Sequence, residues 1–72
     1  MAHSPWTHIL SSAELDARHA LTAQLDPAFA AAERAFYASR TVNQLKSLEV
    51  GAWNANDPDT YQFARSYAAL KA

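Results

Sequence analysis

Apolar residues at helical spacing alternate with capping residues along the chain, and this pattern predicts up to four short helices. The first is placed at about 12–25. Ser11 and Glu14 have the spacing of a capping box, in which each side chain accepts a hydrogen bond from the other residue's free backbone N–H. Leu10 and Leu15 flank this box at the positions of a hydrophobic staple, so the start of the helix is specified locally.

Two Asp-Pro pairs predict the starts of the second and fourth helices. Asp26 and Asp57 are favourable N-caps, and the proline after each fits the first helical position because its missing N–H has no partner there. The second helix is placed at about 27–39 and is apolar on two sides, which is typical of a central helix. The fourth is placed at about 58–70 and carries large apolar side chains, among them Phe63.

The third helix begins at a second capping-box pair, Thr41 and Gln44. It either stops at Gly51, interpreted as a left-handed C-cap, or continues to Trp53 with Gly51 allowing close packing. We prefer the longer version, about 42–53, because the apolar residues of this stretch keep one helical face.

These segments predict an all-α fold, a compact bundle of three to four short helices or a pair of hairpins. Residues 1–10, which contain Pro5 and Trp6, are predicted to form an extended N-terminal arm, and residues 11–72 a single helical domain. A chain of 72 residues is near the lower limit for independent folding, and without cysteine it cannot add a disulfide. We therefore expect a partner, identical or not, to contribute stability.

Charge and hydropathy narrow the classes of partner. The net charge of −1 lacks the basic footprint of a nucleic-acid or anionic-membrane binder. No apolar stretch approaches the ~20 residues of a membrane span, and residues 1–10 lack the basic region and apolar core of a signal peptide. The expectation is a cytoplasmic protein whose partner is neither membrane nor nucleic acid.

Residues that could carry chemistry are few. His3, His8 and His19 lack the convergent spacing of metal ligands and are interpreted as solvated or capping. Asp57 and Asp59 form a carboxylate pair, but both stand at a helix start, where the helix dipole favours acids. There is no cysteine, nucleophile elbow or Gly-rich phosphate loop in the sequence. We expect no catalytic residues, no cofactor and no metal.

The aromatic residues are the strongest indication of function. A small core cannot cover all eight of them, so some should form an exposed apolar patch of the kind that marks an interaction surface. The residues that we expect to contact a partner are five aromatics and one arginine from three helices: Phe36, Tyr37, Arg40, Trp53, Tyr61 and Tyr67. The alternative, equally open, is that these aromatics fill a shallow core. A homodimer would satisfy both interpretations.

The sequence thus predicts a non-enzymatic helical protein-interaction module, a regulator or inhibitor that binds a larger protein. The analogy is with small stand-alone factors of phages and mobile elements, which act on host machinery. One alternative is a helix-turn-helix DNA-binding regulator, although Asp57 and Asp59 would then meet phosphates at the start of the recognition helix. Another is a structural homo-oligomer subunit.

Overall fold

The computed structural model describes residues 7–72, which form four helices: α1 (Ser12–Leu25), α2 (Pro27–Ser39), α3 (Val42–Asn54) and α4 (Pro58–Lys71). The predicted all-α bundle of short helices is confirmed, and every boundary lies within one residue of its predicted position. Residues 1–6 of the predicted arm lie outside the described range.

Local caps define the helix starts. At α1 the Ser11 N–H donates to Glu14 Oε1 at 3.0 Å, and the Glu14 N–H donates to Ser11 Oγ at 3.2 Å. The same reciprocal box joins Thr41 and Gln44 at the start of α3. Asp26 and Asp57 each accept a backbone N–H three residues ahead and so cap α2 and α4. The local sequence is therefore sufficient to explain where each helix begins.

The end of α3 resolves the question left open by Gly51. The helix continues through Gly51 to Asn54, and the chain reverses at Asn56, which adopts a left-handed φ of 56°. The Asn56 N–H donates to the Trp53 carbonyl at 3.1 Å, and the Asp57 N–H to the Ala52 carbonyl at 2.9 Å. This is the Schellman arrangement, with asparagine in the position that glycine usually fills.

The helices pack as two pairs. α1 packs against α2, α3 packs against α4, and α4 joins the pairs because it also contacts α2. The buried cluster draws on the residues just before α1 and on all four helices, and α4 contributes more of it than any other element: Leu10, Leu15, Tyr37, Leu45, Phe63, Ala64 and Ala68. In this arrangement α4 is the central helix.

This corrects the expectation that the second helix would be central. Only Ala30 and Tyr37 of α2 are buried, whereas six residues of α4 are. The second apolar side of α2 consists of alanines, whose small side chains offer little area to bury. The large side chains of α4, Phe63 among them, occupy the interior instead.

The residues just before α1 are held against α4. Leu10 is 3% exposed, and its N–H donates to the buried Ser66 Oγ at 2.8 Å. The Gln62 side-chain amide donates to the His8 carbonyl at 3.0 Å. These two bonds satisfy polar groups that α4 carries into the interior. The packed unit therefore includes Leu10, which the sequence had assigned to the arm.

Candidate functional site

The six residues predicted to contact a partner do not form one surface. Tyr37 and Tyr61 are only 6% and 7% exposed and belong to the interior. The Tyr37 ring stacks on the rings of Phe63 and Tyr67, with centroids 5.4 Å apart in both pairs. The interpretation that aromatics fill the core therefore holds for these two tyrosines, and any partner surface must be built from other residues.

Tyr67 is half-buried and belongs to a polar cluster inside the fold. Its hydroxyl and His19 Nε2 share a hydrogen bond of 2.8 Å, while His19 Nδ1 lies 3.2 Å from Glu33 Oε1. The His19 ring also stacks on Phe63, with centroids 5.1 Å apart. Burial raises the pKa of the Tyr67 hydroxyl above its ordinary value.

The interpretation of His19 as a solvated or capping residue is therefore wrong, since its exposed fraction is 2%. A signal was present in the sequence, because His19 follows Leu15 by four residues and the two are the buried residues of α1. The cluster joins three helices, because His19 lies on α1, Glu33 on α2 and Tyr67 on α4. Within residues 7–72, no three side chains of metal-ligating types come together.

An apolar cleft of about 540 Å³ lies between α2 and α3. It exists because each of these helices packs mainly on a different neighbour, α2 on α1 and α3 on α4. Along α3 the cleft extends from Gln44 to Ala55, about three turns or about 16 Å. The lining of the cleft includes Phe36, Arg40, Leu48, Gly51 and Ala52.

Phe36 and Arg40 form one edge of this cleft. Phe36 is 40% exposed, and its ring meets that of Tyr37 edge-on, with centroids 5.2 Å apart. The Arg40 guanidinium carbon lies 4.5 Å from the Phe36 ring centroid, and Arg40 Nε donates to the Phe36 carbonyl at 3.2 Å. A cation–π contact and a hydrogen bond thus orient Arg40 over an exposed aromatic ring.

Gly51 lies on the floor of the cleft and has no packing role inside the fold. A Cβ atom at this position would meet nothing within 4 Å, and Gly51 has no positive φ. Glycine inside a helix costs about 1 kcal/mol relative to alanine. Both sequence interpretations of Gly51, a C-cap and close packing, are therefore wrong. The consequence of this glycine is an open cleft floor.

The end of α2 beside the cleft is positively charged. Lys71 Nζ donates to the carbonyls of Ala38 and Arg40, so Lys71 and Arg40 both lie at the carbonyl end of α2. The contacts between acidic and basic side chains within 4 Å among residues 7–72 are His8–Glu14, His19–Glu33 and Arg34–Asp16, so no carboxylate in that range pairs with Arg40 or Lys71. Arg40, which lines the cleft, therefore has no anionic partner from the described chain, and Lys71 lies at the same end of α2.

Two further exposed apolar areas lie outside the cleft. Trp53 is 51% exposed beside Val50 on another face of α3, and its ring contacts Tyr61 at 5.2 Å between centroids. At the α1–α2 corner, Leu25 is 92% exposed, with Leu21 and Phe29 also more than half exposed. Trp53 thus does not join Phe36 in one patch, and the corner was not anticipated from the sequence.

Comparison of the chain with protein-family models, with curated proteins and with solved structures finds no match. Across the four helices, none combines the length and apolar character needed to cross a membrane, a finding that covers residues 7–72. The function is therefore inferred from the geometry of the chain alone. The α2–α3 cleft combines an apolar lining with an oriented arginine at its edge and a glycine that leaves it open.

Proposed function

We propose that this chain is a non-enzymatic helical module that binds a larger protein through the α2–α3 cleft. The observation that carries the proposal is Phe36, which is 40% exposed, held under Arg40, and set at the edge of an apolar cleft. Exposed apolar surface of this kind marks interaction sites, and aromatic and arginine side chains are enriched among the residues that dominate binding energy.

The role we propose is that of a cytoplasmic regulator or inhibitor. A chain of 72 residues with an apolar cleft open to solvent suits a factor that blocks or adjusts a larger protein. Small phage and mobile-element factors that act on host machinery are the analogy for this step. The helix-turn-helix alternative has less support, because six residues of α4, its recognition helix, are buried.

One observation favours a second candidate, a structural homo-oligomer. Leu25 is 92% exposed at the α1–α2 corner. Leu21 and Phe29, four residues before and after it, are 64% and 56% exposed. A second copy of the chain that covers this corner would remove a contiguous apolar area from water. Light scattering after size-exclusion chromatography tests this idea, since Leu25→Ser should then convert a dimer to a monomer. A wild-type chain that is monomeric at high concentration would remove this candidate.

Affinity capture from a native lysate, with and without nuclease and followed by mass spectrometry, tests the protein-binding function. The baits are the wild-type chain, Gly51→Leu, which places a side chain in the cleft, and Ala17→Leu, which adds the same side chain to the exposed face of α1. The expected result is a larger protein that survives nuclease, is lost with Gly51→Leu and is kept with Ala17→Leu. Circular dichroism confirms that both variants stay helical.

Two results would overturn the proposal. Loss of all captured material on nuclease treatment would favour the DNA-binding alternative. Recovery of the bait alone would favour the structural oligomer.

A further inference from the structure

We infer that the α2–α3 cleft receives an acidic amphipathic helix of the partner, an inference that rests on the proposed function. The apolar side chains of that helix would lie over Gly51, and one of its carboxylates would bind Arg40. Three features of the cleft carry this inference: its shape, its charge and the glycine on its floor.

The shape matches a helix. The cleft lies between two helices and follows α3 for about 16 Å, the length of about three helical turns. Amphipathic helices bind such grooves through apolar side chains spaced three or four residues apart. Leu48 and Ala52, spaced four apart on α3, offer apolar contacts along the groove. A partner helix laid here would add packing between α2 and α3, each of which packs mainly on another helix.

The positive charge of Arg40 favours an acidic partner. The Arg40 side chain is already oriented by the Phe36 ring and the Phe36 carbonyl, which engage its π face and Nε. Its terminal nitrogens make no ion pair with a carboxylate of residues 7–72, and a guanidinium presents them in the geometry that a carboxylate accepts. Lys71 adds a second cation at the same end of α2.

The acidic residue of the cleft does not cancel this charge. Asp57 lines the cleft near the start of α4, where its Oδ1 accepts the Thr60 N–H at 3.2 Å. A carboxylate in that position interacts favourably with the positive end of the helix dipole. Asp57 is therefore engaged at the start of α4 and makes no ion pair with Arg40.

Nucleic acid is the less favoured source of negative charge. Phosphate binding draws its affinity from many cations along a backbone, whereas the chain has net charge −1 and this end of α2 carries two cations. The wall beside these cations is apolar, and it would contribute nothing to a phosphate backbone. An acidic peptide uses both the cations and the apolar wall.

Glycine at position 51 provides the third feature. Because Gly51 lines the cleft and a Cβ there would meet nothing within 4 Å, we expect a leucine at this position to enter the cleft. Gly51→Leu therefore blocks the cleft selectively. Arg40→Gln removes the charge while leaving the cleft open, and Arg40→Lys keeps the charge but loses the planar fork.

The test is selection from a displayed library of random 16-residue helical peptides on the immobilised full chain, with counter-selection on Gly51→Leu. We expect enriched peptides with apolar residues at three- and four-residue spacing and a net negative charge. Enriched peptides are then synthesised with a fluorescent label and measured by anisotropy. Arg40→Gln should weaken them about ten- to a hundredfold, the change expected when a charge-assisted pair is lost. Arg40→Lys should lie between, and Ala17→Leu, outside the cleft, should bind as the wild type does.

Enrichment of neutral or basic peptides, binding that survives Gly51→Leu, and failure to enrich any peptide each overturn the inference. The lysate capture separates failure of this inference from failure of the proposed function. A protein partner that is lost with Gly51→Leu while no acidic helix is selected leaves the function standing and removes the inferred partner chemistry. Recovery of nucleic acid in the nuclease arm removes both.

Discussion

Tyr67→Phe tests whether the buried hydrogen bond to His19 stabilises the fold. The change removes one hydroxyl and keeps the ring that stacks on Tyr37. His19 is 2% exposed, so its Nε2 would lose its partner at 2.8 Å without gaining water. Leaving a buried polar group unsatisfied costs about 1–3 kcal/mol.

That loss would be large for this chain. A domain of 72 residues is expected to unfold with a free energy of about 4–11 kcal/mol. A loss of about 1–3 kcal/mol lowers the melting temperature of a domain of this size by about 5–20 °C. Urea unfolding followed by circular dichroism measures the free-energy change, and a shift of the midpoint without a change in slope attributes it to the folded state.

Tyr61→Phe is the matched control. It also removes a single tyrosine hydroxyl, but this one accepts a hydrogen bond from Arg65 Nη1 at 2.9 Å. Arg65 is only partly buried, so its guanidinium can bond water instead, and we expect a loss below about 1 kcal/mol. If Tyr67→Phe unfolds at the same urea concentration as the wild type, the reasoning about the buried pair is refuted.

A double-mutant cycle isolates the pair itself. Once His19→Leu has removed the ring nitrogen, Tyr67→Phe should cost less than it does in the wild-type chain. We expect a coupling free energy of at least about 0.5 kcal/mol between the two positions. Additive effects would show that Tyr67 stabilises the fold through its ring alone.

The turn at Asn56, the open position at Gly51 and the burial of two tyrosines each give a further prediction. Asn56→Gly should stabilise the chain by up to about 1 kcal/mol in urea unfolding, because Asn56 holds a left-handed φ of 56°. Gly51→Ala should raise stability by a similar amount, up to about 1 kcal/mol, since its Cβ meets nothing within 4 Å; a destabilised variant would contradict the open cleft floor. Burial raises the pKa of Tyr37 and Tyr67 above the ordinary tyrosine value of 10.0, so the folded state favours the neutral phenols. The resulting stability should be fully present below pH 10 and lost as the pH rises through the folded-state values, with tyrosinate absorbance appearing together with unfolding.

The starts of the helices follow from local sequence. The Ser11–Glu14 and Thr41–Gln44 boxes and the Asp26 cap join residues three apart in the chain, so their hydrogen bonds do not depend on the rest of the fold. The alanine-rich segments between them have high helix propensity. Since both effects are local, reading the residues in order was sufficient for the all-α fold and for boundaries correct to one residue.

Which aromatic residues are buried depends on how the helices pack against one another. Phe36 and Tyr37 are neighbours in sequence, yet one is 40% exposed and the other 6%, because α4 covers one side of α2 and leaves the other facing the cleft. His19 is buried for the same kind of reason, through contacts with Tyr67 and Phe63 far along the chain.

The cleft itself was also decided at the tertiary level. It arises because α2 and α3, adjacent in sequence, pack on different neighbours, and no local pattern encodes that choice. Gly51 shows what residue type alone leaves undecided, since glycine is compatible with a helix cap, a close contact or an open cleft floor. Which of these it provides depends on what lies opposite, and that is fixed by the packing of whole helices.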